Sequence, residues 1–430
     1  MASKPPSPRR LAFDVVDAVL ARKRPLDEAI ADHPAFVALS VRDRAFARNL
    51  VATTLRRLGQ IDALVDHALE RRLPRKAAPV GNVLRLGLCQ ILFLGTPPHA
   101  AVATAVDLAQ ELGHGPHKGL VNAVLRRLVG EGPALLQAQD AARLNTPDWL
   151  WQSWAAAYGE PVCRAIAEAH LAEAPLDITV KDDARAWAEK LAATVLPTGS
   201  LRRAPGGNVT QLPGFADGAW WVQDAAAALP VGFLGDVAGL RVIDLCAAPG
   251  GKTAQLAARG ARVTAVDRSR PRLERLRENI DRLGLTAELV AADALDWRPG
   301  EPADAVLVDA PCSATGTIRR HPDVARLKTP DDVATLAETQ HRLLVAALEM
   351  VGPGGAVIYG ACSLQPEEGP ERIRRLIEAG APAAPVPIRA AEVGGLGELL
   401  TADGALRSLP NHLRELGGID GFYAARLRRT

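Results

Sequence analysis

The stretch Arg241-Val-Ile-Asp-Leu-Cys-Ala-Ala-Pro-Gly-Gly-Lys-Thr253 carries the reading of the fold. Arg241 to Leu245 is apolar and β-rich with one acid near its end, the pattern of a buried strand. Pro249, Gly250 and Gly251 then break the chain, and 253–258 resumes with helix formers. Strand, glycine turn and helix make a ligand cradle, because glycine lets the backbone approach a bound molecule and a helix start offers free N–H groups. A phosphate-binding loop needs G-x-x-x-x-G-K-[ST]. Gly251-Lys252-Thr253 supplies the end of that pattern, but Cys246 stands where the first glycine belongs. A G-x-G-x-x-G dinucleotide fingerprint is also absent.

Toward the C-terminus, strands and helices alternate. Strands are expected at 261–266, closed by Asp267, at 287–292, closed by Asp293, and at 305–308, closed by Asp309. Helices are expected at 271–283 and 331–351, and a last core strand at 355–361 ends on Cys362. Such alternation implies an α/β, Rossmann-like, doubly wound sheet whose strand ends form the binding crevice. Three acids closing successive strands therefore gather at that crevice. A single one would read as a helix cap, but three in sequence do not. The strand-Asp-x-x-x-x-Pro-Gly-Gly-Lys-Thr arrangement resembles the S-adenosylmethionine loop of the RNA cytosine-C5 methyltransferases of the Sun/Fmu/RsmB type. On that reading Asp267 accepts from ribose hydroxyls, Asp293 serves the adenine edge and Asp309 stands nearest the reacting centre. The cofactor-binding residues implied are Cys246, Ala247, Ala248, Pro249, Gly250, Gly251, Lys252, Asp267, Arg272, Asp293 and Asp309.

Asp309-Ala-Pro-Cys-Ser313 and Ala361-Cys-Ser363 each put a cysteine at a strand end of the same crevice. Methylating cytosine at C5 is hard because that carbon is a poor nucleophile. A thiolate adding to C6 turns the ring into an enamine whose C5 can attack a sulfonium methyl; a proton then leaves C5 and the thiol is eliminated. This needs a cysteine of lowered pKa, which a strand-to-helix turn with basic neighbours can supply. In the resembled RNA enzymes the nucleophile is the later cysteine, in a Thr-Cys-Ser motif, and the Pro-Cys cysteine assists release. Carried over, Cys362 is the nucleophile, Cys312 the release helper, and Asp309 the acid near N3 of the base. This chain has Ala361 where the family has Thr. The related DNA enzymes use the Pro-Cys cysteine as nucleophile, but their other hallmark motifs are missing. Cys89 and Cys163, on apolar helical faces, read as small buried hydrophobes, and Cys246 as packing and backbone.

The chain has 430 residues, enough for two or three domains. No apolar run reaches a membrane span without a charge or a Pro/Gly break, and no signal-peptide core is seen. Met1 to Arg10 looks like a loose basic leader. The five cysteines contain no C-x-x-C pair, so no zinc site, no other metal and no disulfide framework is expected, and a reducing cytoplasm fits best. A net charge of +2 does not by itself establish nucleic-acid binding.

The N-terminal third is helical. Leu11, Val15 and Val19 repeat at i, i+4, i+8; Ile61, Leu64, Val65 and Leu69 form another face; 80–94 is apolar nearly all round and reads as the central helix. Helices at 99–112 and 118–128 complete a bundle. Arg42-Asp-Arg-Ala-Phe-Ala-Arg48 and Gly119-Leu-Val-Asn-Ala-Val-Leu-Arg-Arg127 are similar to the NusB-type RNA-binding bundle that precedes the methyltransferase domain in the same family. Read without that resemblance, the arginines are a solvated helix face. His114 and His117 flank a Gly-Pro turn with no third ligand and read as surface residues. Residues 141–235 read as a small α+β connector, with Trp220 and Trp221 as packing anchors rather than base-stacking platforms.

The expected organisation is therefore an all-α NusB-like domain over 1–140, an α+β connector over 141–235 and a methyltransferase domain over 236–430. Gly316-Thr-Ile-Arg-Arg-His-Pro-Asp323 resembles the family's segment near the target RNA, which implies Arg319 and Arg320 as phosphate contacts. Glu367-Glu368 resembles its helix start after the nucleophile, and Asp420-Gly-Phe-Tyr423 its last strand. The resemblance implies a monomer that methylates a small-subunit (16S) ribosomal RNA with S-adenosylmethionine. Transfer RNA is a close alternative. From other classes, a P-loop factor using Lys252-Thr253, with Asp309 as its Mg²⁺ acid, and a non-enzymatic RNA-binding factor remain to be weighed.

Overall fold

The computed structural model describes residues 7–71 and 73–430; the first six residues of the basic leader lie outside the described residues. Two compact units are present. One runs to Ala172 and takes in Ile318–Lys328; the other comprises Glu173–Thr317 and Thr329–Thr430. The expected boundary near 140 is thus displaced, and a short stretch of the expected catalytic domain belongs to the helical unit.

In the helical unit, Pro8–Leu20, Val41–Arg56, Leu58–Ala68, Pro98–Glu111 and Lys118–Ala138 surround Ala78–Leu92 and all touch it. That helix buries Val80, Val83, Leu84, Leu86, Leu88 and Cys89, as its nearly continuous apolar surface requires. Lys118–Ala138 runs ten residues past the expected end and through Pro133, because Leu135 and Leu136 still pack on the core. The helices Ala141–Asn145, Asp148–Tyr158 and Glu160–Ala169 join this unit rather than a connector. Asn145 Nδ2 donates to Gln60 Oε1 at 2.9 Å while Gln60 N donates to Asn145 Oδ1 at 3.2 Å, a reciprocal buried pair. The inserted segment is held in the same way: Leu26 N donates to the Asp323 carboxylate at 2.8 Å, and Arg326 Nη2 donates to the Asn145 carbonyl at 2.8 Å. His114 and His117 meet edge to face at 6.0 Å and are partly exposed, in a turn packed on the two helices it joins. Among the described residues, no helix is long and apolar enough to cross a membrane.

The second unit begins with a small antiparallel sheet of β1 (Leu176–Val180), β2 (Thr194–Val195), β3 (Leu201–Arg203) and β4 (Trp220–Val222), in the order β2-β3-β1-β4. Trp220 is fully buried and its indole N–H donates to the Pro213 carbonyl at 2.9 Å, a packing anchor whose one polar atom is satisfied. The large sheet contains β5 (Arg241–Leu245), β6 (Arg262–Asp267), β7 (Glu288–Ala291), β8 (Ala303–Asp309), β9 (Val351–Ala361), β10 (Ala383–Pro385), β11 (Leu406–Ser408) and β12 (Phe422–Arg429). Its order is β10-β12-β9-β8-β5-β6-β7, with β11 also paired to β12. β9, β8, β5, β6 and β7 run parallel, and β12 is antiparallel to β9.

This topology locates the crevice. The chain moves outward from β5 through β6 to β7, then returns to lay β8 on the other side of β5. A parallel sheet that reverses direction opens a cleft at the carboxyl ends of the strands flanking the switch, here β5 and β8. Parallel register also pairs Asp309 of β8 with Gly360 of β9. The loops carrying Cys312 and Cys362 therefore leave adjacent strands at the same height.

Candidate active site

The loop after β5 turns sharply at Cys246, φ +60°, and at Gly250, φ +102°. At Gly250 an added Cβ would stand 2.7 Å from Leu276 Cγ, so the helix Gly251–Ala258 can start there only without a side chain. Ala247 N donates to the Val266 carbonyl at 3.1 Å, and Ala248 N to the Asp267 carboxylate at 3.2 Å. Arg272 grips the same loop through the Ala248 carbonyl and stands 3.5 Å from Asp267. Asp267 is thereby fixed at the rim of a cleft with about 540 Å³ of empty space. Asp293, Arg272, Cys246 and the apolar Val266, Leu295, Pro311 and Leu343 also line it.

Two carboxylates beside an apolar slot suit a nucleoside, with acceptors for hydroxyls and amine and oily walls for the base. Of the residues expected to hold the cofactor, the cleft brings together Cys246, Asp267, Arg272 and Asp293. Ala247, Ala248, Pro249, Gly250 and Gly251 form the supporting turn and do not line it. Lys252 and Asp309 lie outside the lining too, and pair at 2.7 Å, with the ammonium 5.1 Å from the centre of the Phe422 ring. Thr253 Oγ1 donates to Asp244 at 2.6 Å. Both residues that would complete a phosphate loop are turned inward, which removes the P-loop reading.

Burial pushes the Asp244 carboxyl up to about 7. Its second oxygen is buried without a partner. Sequence reasoning gave Asp244 no role, since an acid inside a strand looks the same whether buried or rim-facing.

The two cysteines meet. Cys312 Sγ lies 3.4 Å from Cys362 Sγ, and both residues are half-buried. Their loops are tied by Gly316 N, which donates to the Cys362 carbonyl at 3.0 Å, and by Ala310 N, which donates to the Gly360 carbonyl at 2.9 Å. Ala361, where the resembled motif has Thr, is buried in register with Tyr423; the backbone and Ser363 hold the loop instead. The hydrogen bond to Cys362 raises the Cys312 thiol well above its ordinary range, with help from burial and the Glu368 charge. Burial also pushes Cys89 up to about 12 and Cys163 up to about 11, as structural thiols require. Cys246 is pushed up to about 12 by burial and by the neighbouring carboxylates.

Motif reading assigned no role to what lies beneath the cysteines. Ser313, Ser363, Thr315, Gln340, Tyr359 and Glu368 form one buried polar cluster. The signal that could have found it is the serine repeated after each cysteine.

Arg319 does not serve as expected. It is 2% exposed, its carbonyl accepts from Arg56 Nη2 at 2.9 Å, and its charge helps to depress His170 in the helical unit. Ile318, Val324 and Ala325 bury this segment and take Arg319 inside with them. Arg320 is half-buried.

A model of the 16S rRNA methyltransferase RsmB/F family matches residues 233–428, and the NusB family matches residues 6–129. The chain is 36% identical over 446 residues to ribosomal RNA small subunit methyltransferase B of Pseudomonas putida, covering 98% of each. The chain belongs to the ribosomal RNA small subunit methyltransferase B family. The Vibrio cholerae member is 37% identical over 357 residues, 78% of this chain and 82% of that one. Among solved structures, PH0851 matches with a TM-score of 0.76 over the whole of both chains at 21% identity, a likeness of fold. A methyltransferase homolog protein from Pyrococcus horikoshii matches with a TM-score of 0.54 at 26% identity, over 65% of this chain and 94% of that one. This methyltransferase thus joins a helical NusB domain to a Rossmann-like catalytic domain, and its methyl donor is S-adenosylmethionine. The non-enzymatic alternative falls away with the family.

Proposed function

We propose that this chain methylates C5 of a cytosine in small-subunit (16S) ribosomal RNA through a transient bond from Cys362 to C6 of the base. The observation that carries the reading is the 3.4 Å approach of two sulfurs at the ends of adjacent parallel strands, beside the cleft lined by Asp267 and Asp293. The name of the relatives, ribosomal RNA small subunit methyltransferase B, supports the substrate class. S-adenosylmethionine, when bound, supplies an electrophilic methyl group; Asp267 and Asp293 would hold its nucleoside part.

The protein's own groups do the rest. A cytosine drawn out of its stack exposes C6 to Cys362. The Cys362 thiolate bonds to C6, and the ring electrons shift so that C5 becomes nucleophilic. As C6 is attacked, N3 takes up a proton from solvent, which it returns when the adduct collapses, and Asp309, fixed by Lys252, accepts a hydrogen bond from that N3–H. While Cys362 is a free thiolate, Cys312 keeps its proton, because two adjacent sulfur anions repel. Once Cys362 is bonded to carbon, the largest influence holding that proton is gone, and Cys312 can ionise. After C5 has received its methyl, Cys312 takes the C5 proton, the C5–C6 double bond re-forms and Cys362 departs with the C–S electrons. Arg320 remains the candidate phosphate contact.

Cys362→Ala is the direct test. The variant is expected to bind the methyl donor as the parent does and to transfer no methyl to a 16S transcript; turnover within tenfold of the parent would assign the nucleophile elsewhere.

A further inference from the structure

Glu368 is 0% exposed, yet every hydrogen-bond donor on its carboxylate is neutral. Its Oε1 accepts from Ser313 N at 2.8 Å and from Gln340 Nε2 at 3.1 Å. Its Oε2 accepts from Ser363 Oγ at 2.5 Å and from Ser313 Oγ. Ser313 directly follows Cys312, and Ser363 directly follows Cys362. One carboxylate therefore holds the residue after each cysteine. The glutamate is itself held: its carbonyl accepts from Tyr359 Oη at 2.7 Å, and Gln340 Nε2 also donates to the Pro311 carbonyl at 2.9 Å.

A buried carboxylate without a cationic hydrogen-bond partner is costly unless its oxygens are fully used, and here each oxygen accepts from two buried donors. An apolar residue at this position would leave all four donors without this acceptor and untie the two loops. We propose that Glu368 is a positioning residue for the two-cysteine chemistry: by holding Ser313 and Ser363 on one carboxylate it sets the spacing of the two sulfurs. The inference rests on the covalent reading above. Two properties of the anion matter. It offers acceptors on both oxygens, which an amide cannot, so Gln at this position would aim a donor at Ser313 N or at the serine hydroxyls. Its negative charge faces Cys312 together with Cys362 and Tyr359 of β9. Around the cluster stand Arg372 of the next helix, Arg407 of β11, which donates to the Ser363 carbonyl at 2.6 Å, and Tyr423 of β12.

The test uses the full chain with 16S transcripts. A transcript carrying 5-fluorocytidine traps the adduct as a slow band on a denaturing gel and reports adduct formation. An ordinary transcript in single turnover reports release across pH. In Glu368→Gln, adduct formation is expected to fall about 10- to 100-fold from misplacement of the nucleophile. The rising limb of release should move toward lower pH, because removing a like charge lets Cys312 ionise sooner. A merely structural role would not move that limb. An unmoved limb in a variant that binds donor normally overturns the proposal. Ser363→Ala frees the Cys362 loop from the carboxylate while Ser313 keeps both of its bonds to Glu368: it should slow adduct formation and leave the limb in place. Should Glu368→Gln fail to fold, wild-type adduct formation in Ser363→Ala overturns the proposal instead. The parent reading fails separately, if the unmodified chain forms no band with the 5-fluorocytidine transcript.

Discussion

Gly316→Ala tests whether the spacing of the cysteine loops, rather than the presence of the thiols alone, sets the rate. Gly316 N donates to the Cys362 carbonyl at 3.0 Å, and Gly421 N donates to the Gly316 carbonyl at 2.9 Å, so this residue links the Cys312 loop, the Cys362 loop and the entry to β12. A Cβ there would stand 1.9 Å from the Gly421 oxygen and 2.8 Å from its Cα, where real Cβ contacts do not fall below 3.0 Å. The obstacle is backbone and cannot rotate away, so the loop must shift by about 1 Å to clear it, and a misplacement of that size costs on the order of 10²-fold in rate. Losing the two backbone bonds adds about 2 kcal/mol of destabilisation. Gly316 does not line the donor cleft, so donor affinity is expected to stay unchanged. The assays are single-turnover methyl transfer to a 16S transcript, donor titration by calorimetry and thermal unfolding. A rate within twofold of the parent, with normal donor binding, would refute the claim that backbone spacing limits the chemistry.

Cys312→Ala should form the bond to RNA but release it slowly, leaving a covalent protein–RNA band on a denaturing gel with an ordinary transcript; absence of the band removes the release role. Asp244, raised to about 7 by burial, carries a stability contribution that is complete below about pH 3.8 and lost as pH rises through 7, worth about 4 kcal/mol. Asp244→Asn should flatten that fall in donor-free protein, measured as unfolding free energy against pH. His170, depressed to about 3 by burial and by Arg319 and Arg56, behaves oppositely: its contribution is complete above pH 6.5 and lost as pH falls toward 3, about 5 kcal/mol in all. His170→Leu should flatten the acid limb of unfolding in the helical unit, and an unchanged limb would show that the ring is protonated in the fold.

Periodicity and local chemistry made much of this protein legible. The apolar circumference of 80–94 marked the central helix, because a helix with no polar face must be covered on all sides. The alternation after residue 241 marked the sheet, and acids at three strand ends marked its rim, since parallel strands present their carboxyl ends on one side. These are properties of short segments, set by side-chain period and backbone propensity. Asp309, Cys312 and Cys362 could be picked out as candidates from motif and resemblance alone.

What the folded chain decided involves residues far apart in sequence. The pairing of Asp309 with Gly360 sets the sulfurs 3.4 Å apart; a motif names both cysteines but does not give a register. Burial separated Arg319 from Arg320, because the apolar residues of 318–328 cover that segment on the helical unit and carry one arginine inside. The serine repeated after each cysteine does not name its partner: Glu368, Ser313 and Ser363 become one cluster only when β8 and β9 lie side by side. Hydrogen bonds of that kind and the desolvation of a carboxylate depend on what surrounds a group in three dimensions, and the order of residues along the chain does not contain that information.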